Sequence, residues 1–215
     1  MSLLVAIDGP AGVGKSTLAR RLAHELRLPY LNTGLMYRAV TLEAIRTGVD
    51  VHDGAALAEL AAGLAFDLRG DPLPELSIDG STPGPALSSP DVEAAVSTVA
   101  AHPAVREVLR AEQRRLSAGG GVIEGRDIGS IVRPDAEVKL FLAAPSTERA
   151  TRRSDERGAE PARVAEALRE RDALDDRVNP LVPAPDAVEI DTSDKDADAV
   201  FEEALAIARS AASRP

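Results

Sequence analysis

The sequence predicts an α/β protein, a parallel sheet wrapped by helices. Short apolar runs bounded by turn residues recur at Leu3 to Ile7, Pro29 to Leu31, Gly121 to Ile123, Val138 to Leu142 and Ala187 to Ile190. Helix-period segments separate them, the alternation expected where each strand crosses over to a parallel neighbour. A length of 215 residues with 44% hydrophobic content supports one sizeable core with small inserts and makes two full domains a stretch.

Each element has a local reason. After the first run, Leu18, Leu22 and Leu26 fall at i, i+4 and i+8, one face of a helix. Asp53 is a capping residue for a second helix whose Leu57, Leu60 and Leu64 share a face. From Phe66 to Ser89 the chain is rich in Gly and Pro, and Glu75, Leu76, Ser77, Ile78 and Asp79 alternate before Gly80. This predicts a short hairpin on an inserted subdomain. Helices are expected over Pro90 to Ala101 and Pro103 to Ser117, each with a proline in its first turn, where the missing N–H does no harm. An Ala-rich C-terminus fits a final helix.

Composition excludes several functions. A net charge of −10 argues against a broad nucleic-acid footprint, so an anionic substrate must be small and locally gripped. The absence of Cys removes disulfides, thiolate catalysis and Cys-based zinc sites. With no apolar run of membrane-spanning length and no signal-type N-terminus, the expectation is a cytoplasmic chain without membrane or nucleic-acid partners, acting as a monomer. Of its 25 basic residues only Lys15, Lys139 and Lys195 are lysine. That bias suits bidentate capture of phosphate, although codon bias or solubility accounts for most of it. His24, His52 and His102 show no metal-ligand or triad spacing.

The strongest motif is Gly9-Pro10-Ala11-Gly12-Val13-Gly14-Lys15-Ser16-Thr17, a G-x-x-x-x-G-K-[ST] pattern placed after a strand and opening a helix. Its glycines let backbone N–H groups curl around a polyphosphate, to which the helix N-terminus adds a positive dipole end. Lys15 then reaches the β and γ phosphates of ATP and Ser16 ligates Mg²⁺. Glu124, ending the third predicted strand, suits a Mg²⁺-bound water, and equally a helix cap or a surface ion pair. No [NT]-K-x-D guanine-reading motif is present, which counts against a small GTPase.

Four further clusters point to a second substrate. They are Asn32 to Arg38, Ser97 with Arg106, Gly125 to Ser130, and Arg171 to Arg177. With the phosphate loop, these resemble the bacterial cytidylate kinases over nearly the whole chain. The resemblance implies a nucleoside monophosphate kinase fold: a five-stranded parallel core, an acceptor-binding insert over about residues 33–101, and a short lid over about residues 149–163. It also implies transfer of the γ-phosphate of ATP to CMP or dCMP.

By that resemblance Arg38, Arg126 and Arg171 hold the acceptor phosphate, and Thr33 and Tyr37 line its site. Ser97, Arg106 and Asp127 face the base edge, and Asp175 with Arg177 approaches the ribose. Arg149, Arg152, Arg153 and Arg157 are lid candidates for the migrating phosphoryl group, Arg149 and Arg153 foremost. Tyr37 reads equally as a core aromatic, and Asp127 as an ion-pair partner of the neighbouring Arg126. Asn32 stands where the family usually has Asp, Ser88 where Arg is common, and the loop from Asp175 to Arg177 is one residue shorter. Other readings are a P-loop kinase for UMP, AMP, dTMP or shikimate, or a module that senses ATP without catalysis.

Overall fold

The computed structural model describes residues 3–157, 164–166, 168–169, 173 and 181–212. Its strands are β1 (Leu4–Asp8), β2 (Tyr30–Asn32), β3 (Phe66–Arg69), β4 (Glu75–Ile78), β5 (Gly121–Glu124), β6 (Val138–Ala143) and β7 (Val188–Asp191). The helices are α1 (Lys15–Leu26), α2 (Thr33–Thr47), α3 (Gly54–Gly63), α4 (Pro90–Ala101), α5 (Pro103–Leu116), α6 (Ser146–Arg157) and α7 (Ala197–Ala212).

One sheet runs in the order β3-β4-β2-β5-β1-β6-β7. Strand β1 is central and buried throughout, pairing in parallel with β5 and β6. That is why it reads as an unbroken apolar run: both of its faces are covered. Leu4 and Ala6 pack into the core that includes α2, α3 and α5, whereas Val5 and Ile7 pack into the core that includes α1 and α7. The period of two along the strand thus divides the two cores.

The five expected strands form the parallel core β2-β5-β1-β6-β7. The hairpin is present, with β3 antiparallel to β4, but it does not stand apart on a subdomain. Instead β4 joins the edge of β2 in parallel, raising the sheet to seven strands. The reason is hydrogen bonding: an uncovered β2 would leave backbone groups unpaired at the sheet edge, and Tyr30 N–H donates to the Pro74 carbonyl at 2.9 Å. Phe66 and Leu76, on the hairpin, are buried in the core that includes α2, α3 and α5.

The helix signals act as read. The Asp53 carboxylate accepts from the amides of Ala55 and Ala56, each at 3.1 Å, and Leu57 is fully buried. Pro90 and Pro103 each open their helix. No helix among the described residues is long and apolar enough to cross a membrane.

Candidate active site

At the C-terminal ends of β1 and β5 the chain turns into the phosphate-loop motif and the Gly125 to Ser130 segment. Gly9 has φ +148°, and a Cβ there would lie 2.5 Å from the Leu142 carbonyl oxygen, so only glycine lets the loop pass under β6. Gly14, with φ +96°, precedes α1 without a side-chain cap, and the first turn holds no acidic residue. The first amides of α1 are therefore left for an anion. Lys15 Nζ donates to the carbonyls of Gly9 and Pro10, both at 2.8 Å, folding its charge over the same loop.

Glu124, 3% exposed, is the node beside this loop. Its Oε2 accepts from Ser16 Oγ at 3.0 Å, and its Oε1 from the Tyr30 hydroxyl at 2.5 Å. Asn32 Nδ2 donates to the Tyr30 oxygen at 3.3 Å while Asn32 Oδ1 caps α2 through the Leu35 amide. Burial first, and then the Glu124 charge, push the Tyr30 phenol far above its ordinary range, so it stays a donor. Thr33 Oγ1 donates to the Glu124 carbonyl at 2.7 Å. Among the described residues Glu124 caps no helix and pairs with no cation. Adjacent hydroxyl and carboxylate oxygens at a phosphate loop are hard donors that fit Mg²⁺, an ion that takes few protein ligands.

Asp8 ties the two loops together. Its carboxylate accepts from the amides of Ile128 and Gly129, each at 2.8 Å. Burial raises its pKa to about 6, against the opposing pull of those two amides.

The second cluster sits on α2, α4, α5 and the loop after β5. Arg38 is buried, donating to the Leu87 carbonyl at 2.9 Å and to Glu93 on α4 at 2.8 Å. Asp127, also buried, accepts on Oδ2 from Arg106 at 2.9 Å and from Arg110 at 2.5 Å. Its ion-pair partners thus lie on α5; the neighbouring Arg126, half-buried in the same loop, is not one of them. Tyr37 is seen in its core reading. It packs, partly buried, against the core that includes α3 and α5. Burial and then Asp127 raise its pKa. Ser97 lies half-buried on α4, its hydroxyl making no hydrogen bond among the described residues.

Of the lid candidates, Arg149 is buried against the phosphate loop, donating to the carbonyls of Ala11 at 2.9 Å and Ala144 at 3.2 Å. Arg152 is tethered to Thr192, just beyond β7. The side chains of Arg153 and Arg157, and all of Arg171, Asp175 and Arg177, lie outside the described residues. Tyr30, Glu93, Asp8 and Arg110 escaped the sequence reading. Only Arg110 carried a usable signal, standing four residues after Arg106 on one helix face.

A family model described as Cytidylate kinase matches residues 5–210. Among similar proteins, one named cytidylate kinase from Rhodococcus jostii (strain RHA1) is 46% identical over 93% of this chain and 91% of its own. Another of that name, from Pelotomaculum thermopropionicum, is 46% identical over 98% and 96%. Among solved structures, TT1252 from Thermus thermophilus aligns with a TM-score of 0.52 at 20% identity over 100% of this chain and 99% of its own, a likeness of fold.

Proposed function

The chain belongs to the cytidylate kinase family, and from that premise we propose how its residues divide the work of phosphorylating CMP and dCMP with ATP. The observation that carries the reading is the adjacency of two built clusters. The phosphate loop and its Glu124 node adjoin, through Thr33 and the loop after β5, a cluster of buried and partly buried arginines suited to a second anion, with the Asp127 carboxylate among them.

The backbone of residues 9–17 cradles the polyphosphate, and Lys15 leaves the Gly9 and Pro10 carbonyls for the β and γ phosphates. Ser16 and Glu124 would hold Mg²⁺, which when bound neutralises charge on the β and γ oxygens. Arg38, Arg126 and Arg171 hold the acceptor phosphate, with Glu93 keeping Arg38 extended toward it. Thr33 and Tyr37 line the acceptor pocket within the insert of residues 33–101, and Asp175 with Arg177 reaches the ribose. Arg149 and Arg153, in the lid of residues 149–163, meet the migrating phosphoryl group.

An oxygen of the acceptor phosphate attacks the γ-phosphorus in line, and the bond to the β-phosphate oxygen breaks to release ADP. The attacking oxygen is already anionic, so no proton need be removed. Arginines on both sides of the moving group stabilise charge as it shifts. The reading places the activity in the cytoplasm, carried by a monomer.

Base choice follows from the hydrogen-bonding edge. Cytosine presents an amino donor and acceptors at N3 and O2, whereas uracil presents an acceptor at O4 and a donor at N3. Asp127 suits the amino group, Arg106 suits the acceptors, and Ser97 can serve either. A mispaired buried group costs ~1 to 3 kcal/mol, so CMP should exceed UMP by at least ~10-fold in kcat/KM. An ADP-release assay with ATP and Mg²⁺ against CMP, dCMP, UMP, AMP and dTMP tests the assignment. Asp127→Asn should collapse the CMP preference; an equal loss on CMP and UMP would overturn the base role.

A further inference from the structure

Two guanidinium groups converge on one oxygen of Asp127, and the base contact proposed above uses only one of them. The side chain of Arg110 is about one-fifth exposed and ends on Asp127 Oδ2; its buried Nε has no hydrogen-bond partner. Withdrawing a guanidinium from water with a donor left over is costly, and one arginine would suffice to neutralise one carboxylate. Asp127 Oδ1 accepts nothing among the described residues, which leaves that oxygen for a ligand donor.

We propose that Arg110 is a specificity-determining positioning residue for the acceptor base. It holds the Asp127 carboxylate charged and turned, Oδ1 outward, while Arg106 leaves the pair to meet the acceptor edge of cytosine. Charge supports this division of labour. The Arg106–Asp127–Arg110 group carries one net positive charge as it stands. If Arg106 were the sole partner, its departure for the base would strand a buried carboxylate; with Arg110 in place, a neutral pair remains. The four-residue spacing on α5 puts both arginines on one face, so either reaches Asp127 without moving the helix.

This rests on the base-reading role of Asp127, and the experiment separates the two. Steady-state kinetics for CMP and UMP are measured on Arg110→Met, Arg110→Gln, Arg110→Lys and Asp127→Asn in the full chain, each checked by thermal melting. Arg110→Met should raise KM for CMP and lower the CMP-over-UMP ratio in kcat/KM at least ~3-fold, while kcat for CMP stays within ~2-fold, because Arg110 bonds Asp127 and not the phosphate loop. Arg110→Lys should recover most of the ratio and Arg110→Gln should not. If Arg110→Met fails to fold, Gln against Lys carries the test alone. An unchanged ratio in the Met and Gln variants beside a collapsed ratio in Asp127→Asn would overturn the role of Arg110 and leave the base reading standing. An unchanged ratio in Asp127→Asn would overturn both, and equal losses on CMP and UMP in the Arg110 variants would reduce Arg110 to a structural ion pair.

Discussion

Asp8→Asn isolates a conflict between burial and hydrogen bonding at the joint of the two loops. The Asp8 carboxyl is 7% exposed and accepts two amides at 2.8 Å each. Those amides favour the charged form and burial favours the neutral one; burial wins, lifting the pKa from 3.8 to about 6. A rise of about 2 units at ~1.4 kcal/mol per unit corresponds to ~3 kcal/mol. Because the folded value lies above the unfolded one, the native state binds the extra proton between them. The stabilisation is fully present below pH 3.8 and is lost as pH rises through about 6. Asn cannot titrate, although its amide nitrogen meets one of the two N–H groups and so carries a pH-independent cost of ~1 to 3 kcal/mol. Urea unfolding of both proteins from pH ~4 to ~7 should therefore show the wild type losing ~3 kcal/mol relative to the variant across that window. Parallel stability curves would refute a raised pKa. A relative gain by the wild type with rising pH would mean that the two amides outweigh burial.

Lys15→Ala removes an ammonium folded onto the carbonyls of its own loop and should keep the fold yet lose at least ~10²-fold in turnover; retention of more than a tenth of wild-type kcat would remove its electrostatic role. Tyr30→Phe deletes the donor to Glu124 Oε1 and should weaken apparent Mg²⁺ affinity ~10-fold in titrations at fixed ATP, with unchanged Mg²⁺ dependence counting against the relay. Asp175→Ala should weaken both CMP and dCMP if the carboxylate meets a ribose hydroxyl common to them. Loss confined to CMP would assign it to the 2′-hydroxyl, and no loss would withdraw its ribose role.

The elements were legible because their signals are local. Asp53 caps from within its own turn, Pro90 and Pro103 open helices by what they lack, and β1 is apolar throughout because both faces are covered. The hairpin was legible too, but not its partner. Nothing within residues 66–78 says that the edge of β2 needs covering, so its place in the sheet was missed.

The same division runs through the site. The phosphate loop is read in sequence because one backbone turn does the binding, and the acceptor residues are read through motifs that the family resemblance supplies. Tertiary structure alone decided what each side chain meets. Strand β5, distant in sequence from β1 and β2, lies between them in the sheet, and so Tyr30 and Ser16 share the Glu124 carboxylate. Arg38 meets Glu93 across 55 residues, and Asp127 is held by Arg106 and Arg110 rather than by Arg126 beside it. Local sequence fixes backbone conformation within a few residues, whereas the partner of a buried charge depends on which elements the hydrophobic cores bring together.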